Sequence, residues 1–146
     1  MANVKQYYNA IKLYNIKNGR YPAVPGEGGA QVTMVCLGTG YPSGQCGVIT
    51  GTTVKESAAF MTDLQNGSGT NIADIVNDQY GVVSSESFIG AAYGIDTTDT
   101  SHSPTGRARM IEWYLSGKNQ DCQIPQSWAY NSSNGNTACE LDFEPF

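Results

Sequence analysis

The feature that most constrains this chain is its first segment, residues 3–18, which contains no glycine or proline and then ends abruptly. Apolar side chains recur there at helical spacing, and four of them share one stripe: Val4, Tyr7, Ile11 and Tyr14. Gly19 suits the left-handed conformation that commonly follows a helix end, and Pro22 prevents the helix from continuing. The segment therefore predicts an amphipathic helix with a defined end.

The other side of this predicted helix is polar, but it also carries two large apolar residues. Leu13 and Ile16 fall among polar neighbours that include Lys5 and Lys12. Single exposed apolar residues are common on protein surfaces, and that is one interpretation. The alternative is a helix with neighbours on both sides, one of which belongs to another molecule. The helical wheel alone does not decide between them.

The rest of the chain predicts a mixture of short helices and strands. A helix is predicted over residues 55–65, with Thr53 and Glu56 as a capping box and Asn66-Gly67 as its end, and another over 71–79. Strands are predicted at 31–36, within 48–54, at 87–95, at 107–115 and at 138–143. The strands at 87–95 and 107–115 are expected to form an antiparallel hairpin. This order predicts a single α+β domain, 1–146, with the first helix packed across an antiparallel sheet.

The chain has four cysteines, which constrain the fold if they are bonded and which allow three disulfide pairings. The sequential pairing, Cys36–Cys46 and Cys122–Cys139, is favoured because each pair brackets a turn-rich segment with little else to order it. Closing loops of this size stabilises a fold by about 3 kcal/mol each on chain-entropy grounds. The alternative is four reduced, buried thiols in a cytosolic protein. Widely spaced cysteines and a single histidine argue against a zinc site.

Composition places the chain outside most functional classes that depend on charge. Only 14% of residues are charged, against about 25% in ordinary domains, and glycine and hydroxyl or amide residues are abundant. A net charge of −5 argues against nucleic-acid binding through phosphate contacts. The sequence has no apolar run long enough to span a membrane. An exported, uncharged, disulfide-bearing domain is the class that fits.

Motifs for catalysis are not found, and the chain is not expected to be an enzyme. It has no G-x-S-x-G sequence, no phosphate-binding glycine loop, and one histidine, His102, in a turn-rich segment where an exposed bystander is expected. No cofactor is predicted. One metal hypothesis is kept, a calcium site formed by Asp96, Asp99 and Asp121, with solvated loop acids as the alternative.

A motif at the end of the first helix resembles the type IV pilins and the related pseudopilins. The pattern Y-x-x-A-I-x-x-Y, followed by N-G-R-Y-P, is similar to the second half of the long N-terminal helix of that family. The matching positions are Tyr7, Ala10, Ile11, Tyr14, Asn18, Gly19, Arg20, Tyr21 and Pro22. The strands at 90–94 and 107–115 resemble the family's sheet, and the segment between Cys122 and Cys139 resembles its C-terminal disulfide region. The middle, roughly 27–87, matches no part of the family pattern.

The resemblance implies a structural subunit of an extracellular filament, in a context of adhesion, motility or DNA uptake. Residues 1–19 then correspond to the second half of the family helix, and Met1-Ala2 is expected to be a start placed inside it. The implied missing half anchors the subunit in the inner membrane before assembly and packs in the filament centre afterwards. The partners would be other subunits, and the domain alone is expected to be a monomer. Leu13 and Ile16, with Lys5 and Lys12, become candidates for contact between subunits.

Two alternatives stay open. A pseudopilin of a type II secretion system is the nearest, although major pseudopilins tend to carry a calcium loop where pilins carry a disulfide. The other is a small secreted carbohydrate-binding module or enzyme, which Trp113, Trp128 and the nine tyrosines would serve. An exposed, coplanar row of aromatic rings would favour the binding module, and a long projecting N-terminal helix would oppose it.

Overall fold

The computed structural model describes residues 2–28, 32–49, 51–71, 87–98, 108–132 and 135–143. It is a mixed α+β structure with two helices and two antiparallel sheets. The helices are α1 (Ala2–Asn18) and α2 (Ala58–Ser68). The strands are β1 (Val32–Cys36), β2 (Gln45–Ile49), β3 (Thr52–Lys55), β4 (Ser87–Phe88), β5 (Ala91–Asp96), β6 (Ala108–Leu115), β7 (Trp128–Asn131) and β8 (Thr137–Phe143).

The larger sheet has five strands in the order β1-β5-β6-β8-β7, and every neighbouring pair is antiparallel. The predicted pairing of the two middle strands is confirmed, because Tyr93 in β5 lies opposite Ile111 in β6. The second sheet has three short strands in the order β3-β2-β4. Strand β8, predicted as the last strand, lies between β6 and β7 in the larger sheet.

Helices α1 and α2 pack against one face of the five-stranded sheet, which we call the covered face. Alternation along the strands directs the aromatic and branched side chains of this face into one core with both helices. Its sheet residues are Val35, Ala91, Tyr93, Ile95, Ile111, Trp113, Cys139, Leu141 and Phe143. Tyr8 of α1 stacks on Phe143, with ring centroids 4.8 Å apart. The expected packing of an N-terminal helix on an antiparallel sheet is present.

The other side of the same sheet, which we call the opposite face, is partly covered by the small sheet. A second apolar cluster joins the two sheets there and includes Cys36, Tyr41, Cys46, Val54, Ala92, Tyr114 and Ala138. Both faces of β6 are therefore buried in part, which explains why large apolar residues occur on both sides of that strand.

Helix α1 ends as its sequence predicts. Gly19 adopts a left-handed conformation, with φ of 71°, and its N–H donates to the carbonyl of Asn15. The chain that follows is fixed by a partly buried ion pair, in which Arg109 Nη2 lies 2.7 Å from Glu27 Oε2. Arg109 Nη1 and the Tyr93 hydroxyl both donate to the carbonyl of Pro22, at 3.3 and 2.8 Å. These contacts hold the turn after α1 onto β5 and β6.

The predicted limits of α2 were wrong at both ends. Thr53 lies in β3, and the residue that caps the helix is Ser57, whose hydroxyl accepts from the N–H of Phe60 at 3.1 Å. The helix passes through Gly67 and ends at Ser68, three residues later than predicted, where the left-handed Gly69 follows it. The pairing of β3 with β2 keeps the chain extended through Lys55. The helix therefore begins only at Ala58, too far from Thr53 for its hydroxyl to cap the first N–H groups.

Two further predictions differ from the structure. The segment 87–95 forms two strands, β4 and β5, in different sheets, because the chain passes from the small sheet to the large one between them. The segment between Cys122 and Cys139 was expected to be loop throughout, but it contains β7 on the edge of the larger sheet. The helix predicted at 71–79 lies outside the described residues apart from its first position, as does His102.

Candidate functional site

The first candidate surface is α1, whose two sides differ in burial as the helical wheel predicts. The four residues of the apolar stripe are 0–1% exposed: Val4, Tyr7, Ile11 and Tyr14. Tyr14 also donates a hydrogen bond from its hydroxyl to Asp63 Oδ2 at 2.9 Å, which links α1 to α2. Burial, and then this carboxylate, raise the pKa of Tyr14. This side of the helix is part of the core.

The four residues proposed for contact between subunits lie away from that core. Ile16 is 76% exposed, and Lys5 and Lys12 are exposed as well. Leu13 is half-buried, so the expectation that both apolar residues are exposed holds only for Ile16. Lys12 lies over the outer side of the Tyr8 ring, with its Nζ 4.9 Å from the centroid. The exposed surface is therefore a stripe of Lys5, Asn9, Lys12 and Ile16, which we call the basic stripe.

The basic stripe carries charge of one sign only. Four of the chain's eight basic residues lie in its first twenty positions, and none of its thirteen acidic residues does. Lys17 falls in the last turn of α1, where it interacts favourably with the negative end of the helix dipole. Arg20 packs over the ring of Tyr14, at 5.4 Å from the centroid. The N-terminal helix is thus the positive pole of an otherwise acidic chain.

Both predicted disulfides are present. Cys36 bonds to Cys46, with a Cα–Cα distance of 5.8 Å, and Cys122 bonds to Cys139, with a distance of 5.9 Å. The first bond joins the two sheets through β1 and β2. The second ties the segment after β6 to β8, an interior strand of the larger sheet. No cysteine is free. Disulfides of this kind persist in oxidising surroundings, which indicates an extracellular environment.

The three acids proposed for calcium are not brought together. Asp96 and Asp121 lie near opposite ends of β6. Asp96 pairs with Ala108, the first residue of β6, whereas the residue before Asp121 bonds to Thr137, the partner of Leu115 at the last position of β6. The two ends of β6 are seven positions, or roughly 20 Å, apart. Asp99 lies outside the described residues. Within the described ranges, no group of three or more His, Cys, Asp or Glu side chains is arranged to hold a metal ion.

A second candidate surface, which sequence reasoning did not identify, lies on the opposite face where β6, β8 and β7 meet. Three acidic residues occur there, and Glu112 of β6 is paired directly across the strands with Glu140 of β8. Both are buried, while Asp142 is half-buried at the rim. The available signal was one acid in E-W-Y at 112–114 and two acids at alternate positions in E-L-D at 140–142. Placing these acids side by side requires the register of β6 and β8, which no short-range pattern supplies.

Two aromatic residues of the edge strand β7 complete this surface. Trp128 donates from its indole N–H to Asp142 Oδ2 at 3.2 Å, and Tyr130 donates from its hydroxyl to Glu112 Oε1 at 3.1 Å. Their ring centroids lie 5.5 Å apart and the rings are tilted by 30°. Burial, followed by the nearby Glu112 carboxyl, raises the pKa of Tyr130. We call Trp128, Tyr130 and Asp142 the acidic edge.

The acidic edge is accessible at its aromatic end. Tyr130 is 40% exposed and Trp128 is half-buried. Ile16 and Tyr130 are the large hydrophobic residues that the structure leaves exposed within the described part of the chain. A polar pocket of about 110 Å³ adjoins Tyr130, and it is lined by Asn119, Gln120, Ala129, Tyr130, Asn131 and Thr137. Trp113, the other tryptophan considered for binding, is fully buried in the core and presents no surface.

Among the described residues, no helix is long and apolar enough to cross a membrane. Comparison with family models, with curated proteins and with solved structures finds no significant match to this chain. Its function is therefore argued from its own geometry and from the motif at the end of α1.

Proposed function

We propose that this chain is a structural subunit of a type IV pilus-like extracellular filament, with α1 as the second half of a longer helix. The observation that carries the proposal is the two-sided character of α1. Its inner stripe is fully buried on an antiparallel sheet, while its outer stripe presents Ile16, 76% exposed, beside Lys5 and Lys12. An exposed isoleucine with cationic neighbours on a rigid N-terminal helix suits contact with another subunit.

The remaining features support the same proposal. Two disulfides and a weakly charged, hydroxyl-rich surface fit a protein exposed outside the cell. The second disulfide stabilises the segment that carries β7, in the region where the family resemblance expects a C-terminal disulfide. In this proposal the inner-membrane anchor and the filament core belong to helix sequence preceding α1. The role of the domain is packing, and no catalytic activity is assigned.

The proposal is tested on the source cell and on its coding sequence. Antibodies raised against the 146-residue chain are expected to label surface filaments along their length in immunogold electron microscopy. Deletion of the gene should remove the labelled filaments. The codons preceding Met1 are expected to encode an apolar helical segment continuous with α1. Labelling confined to the cell body, or an upstream sequence without an apolar helix, would contradict the proposal.

A pseudopilin of a type II secretion system is the nearest alternative within this proposal. The Cys122–Cys139 bond favours the pilus because it occupies the region where major pseudopilins tend to bind calcium. The separation of Asp96 from Asp121 points the same way. Calorimetric titration of the chain with CaCl2 distinguishes the two: tight binding would favour the pseudopilin. The pilus proposal expects no calcium-dependent rise in melting temperature.

Carbohydrate binding is a second candidate function, favoured by the paired rings of Trp128 and Tyr130 beside an amide-lined pocket. Aromatic rings and amides are common contacts for sugars, and Trp128 supplies a fluorescent reporter. This candidate expects saturable quenching by a neutral oligosaccharide, lost in Tyr130→Ala and kept in Tyr8→Ala. An unchanged spectrum across an oligosaccharide panel would remove it. The tilt of 30° between the rings and the bonded indole N–H weigh against a flat sugar platform.

A further inference from the structure

The two exposed large hydrophobic residues of the described chain lie on opposite sides of the molecule. Ile16 projects from α1, which packs on the covered face, whereas Tyr130 belongs to the opposite face by its pairing with Ala138. Each has charged neighbours, and the signs are opposite. Ile16 lies in a stripe with Lys5 and Lys12. Tyr130 donates to the buried carboxyl of Glu112, and Asp142 lies further along β8, where it accepts from Trp128.

The two surfaces are matched in chemistry. The basic stripe offers ammonium groups and one aliphatic side chain, while the acidic edge offers aromatic rings and carboxylate. Ammonium groups are stabilised both by ring faces and by carboxylates, and Lys12 already packs on a tyrosine ring within its own chain. On the opposite face, the described strand residues of β6, β7 and β8 include three acids and no base.

The two surfaces are also matched in dimension. The basic stripe runs from Lys5 to Ile16 along α1, which is about 16 Å at the rise of an α-helix. Its two lysines are seven positions, or about 10 Å, apart. The acidic edge runs from Tyr130, which lies opposite Ala138, to Asp142, four positions further along β8, which is roughly 14 Å. The stripe and the edge are therefore of similar length.

We propose that the basic stripe of one copy docks on the acidic edge of a second copy of this chain. Because the two surfaces differ and lie on opposite sides of the molecule, the contact is heterologous, and its repetition generates an open polymer instead of a closed dimer. The assignment of this contact to a filament rests on the proposed function. The contact itself is a property of the 146-residue chain and is measurable without any filament.

An isolated contact of this kind is weak, because exposed charge pairs contribute little individually. The chain is expected to be monomeric at micromolar concentration and to associate with a Kd of ~1 mM at low salt. Concentration-dependent 1H–15N chemical shifts should then change at two separate places, around Lys12 and Ile16 and around Tyr130 and Asp142. Raising the ionic strength should weaken the association.

The deciding experiment mixes two variants that each lack one surface. The helix variant is Lys12→Glu with Ile16→Ser, and the edge variant is Asp142→Asn, which keeps an oxygen for the Trp128 indole N–H. Each variant alone should associate at least about fivefold more weakly than the wild type, the size of one lost charge pair. An equimolar mixture should regain the wild-type Kd for a single contact, because each partner supplies the surface that the other lacks.

Matched controls are Lys55→Gln and Asp121→Asn, which remove an exposed cation and an exposed acid outside both surfaces. Both should associate as the wild type does, and all variants should keep the wild-type melting temperature within a few degrees. The proposal is overturned if the mixture does not recover association. It is also overturned if the controls weaken it equally, or if no association occurs at millimolar concentration. Unlabelled filaments on the source cell would instead overturn the proposed function and leave the measured contact intact.

Discussion

The two faces of the five-stranded sheet are built from the same strands and are stabilised in different ways. The covered face is filled by aromatic and branched side chains that α1 and α2 bury completely. The opposite face, over β6, β7 and β8, places carboxyl groups beside tyrosine and tryptophan donors. One face gains its stability from removal of apolar surface, and the other depends on hydrogen bonds to groups that are costly to desolvate.

This contrast teaches which residues are under structural constraint and which are available for contacts. A buried carboxyl needs its partners, so Glu112 and Tyr130 hold one another in place. The rim position, Asp142, is less constrained and more accessible. Helix α1, on the covered side, likewise has a buried and an exposed side: Ile11 is fully buried and Ile16 is 76% exposed. The two isoleucines provide an internal comparison of equal chemistry.

The largest effect is expected on the covered face. Ile11→Ala should lower the free energy of unfolding by about 2–4 kcal/mol, because it leaves a cavity among tightly packed side chains. Urea denaturation followed by tryptophan fluorescence measures this change. Ile16→Ala serves as the matched control on the other side of the same helix. Equal destabilisation by the two substitutions would show that α1 is not two-sided.

A somewhat smaller loss is expected from Gly67→Ala, which tests how closely α1 and α2 approach. A methyl group at this position would collide with the ring of Tyr14, so one of the helices must shift. Overpacking of this kind costs about 1–3 kcal/mol, even though alanine favours helices more than glycine does. Thermal unfolding by circular dichroism is the measurement, with Asn66→Ala, at an exposed position of α2, as control. A stabilised Gly67→Ala would contradict the close packing.

The stability of the protein at alkaline pH tests the burial of Tyr93 on the covered face. Burial raises the pKa of Tyr93, whose hydroxyl donates to Pro22 and accepts from Arg109. The unfolded chain loses this proton above pH ~10 and the folded chain keeps it. Stability should therefore be constant below pH ~10 and fall by about 1.4 kcal/mol per pH unit above it, for this group. Denaturation at stepped pH should show a shallower fall in Tyr93→Phe.

The corresponding test on the opposite face uses the raised pKa of Tyr130. Glu112→Gln removes one of the causes that raise it, so the phenol should ionise at lower pH in difference absorbance spectra. The titration of Tyr93, on the other side of the sheet, should be unaffected by that substitution. An unchanged profile for Tyr130 would show that burial alone raises its pKa.

The smallest effects are expected on the outer side of α1. Ile16→Ser should change the free energy of unfolding by less than about 0.5 kcal/mol, as exposed substitutions usually do. Leu13→Ser should cost more, because Leu13 is half-buried. Under the proposed function, both changes are also expected to reduce the filament yield measured by electron microscopy. A destabilisation by Ile16→Ser as large as that by Ile11→Ala would place Ile16 in the core.

Much of this architecture was predictable where the signal is local. The inner stripe of α1 and its glycine end follow from apolar periodicity and the left-handed preference of glycine at Gly19. The strands β1, β6 and β8 follow from short apolar runs bounded by turn residues. The sequential disulfides follow from cysteines that bracket compact loops. In each case the residues that decide the structure lie within about ten to twenty positions of one another.

The errors occur where a distant contact overrides the local pattern. Thr53 cannot cap α2 because the ladder with β2 holds it in a strand. Gly67 resembles a helix end, but it lies within α2, where it leaves room for the Tyr14 ring. Strand β7 reads as loop because its pattern is short, and pairing with β8 organises it. The sequence offers Ser57 and Gly69 as alternative ends of α2, and the packing decides between the candidates.

The sequence by itself determined the charge asymmetry between the N-terminal helix and the rest of the chain and the apolar stripe of that helix, and it favoured the sequential cysteine pairing. These depend on order and spacing along the chain. Only the tertiary structure decided which residues meet on the opposite face. The pairing of Glu112 with Glu140 and the approach of Trp128 to Asp142 depend on the register of β6, β8 and β7. Register is set by the packing of whole strands, since a shift of one residue exchanges every side chain between the two faces.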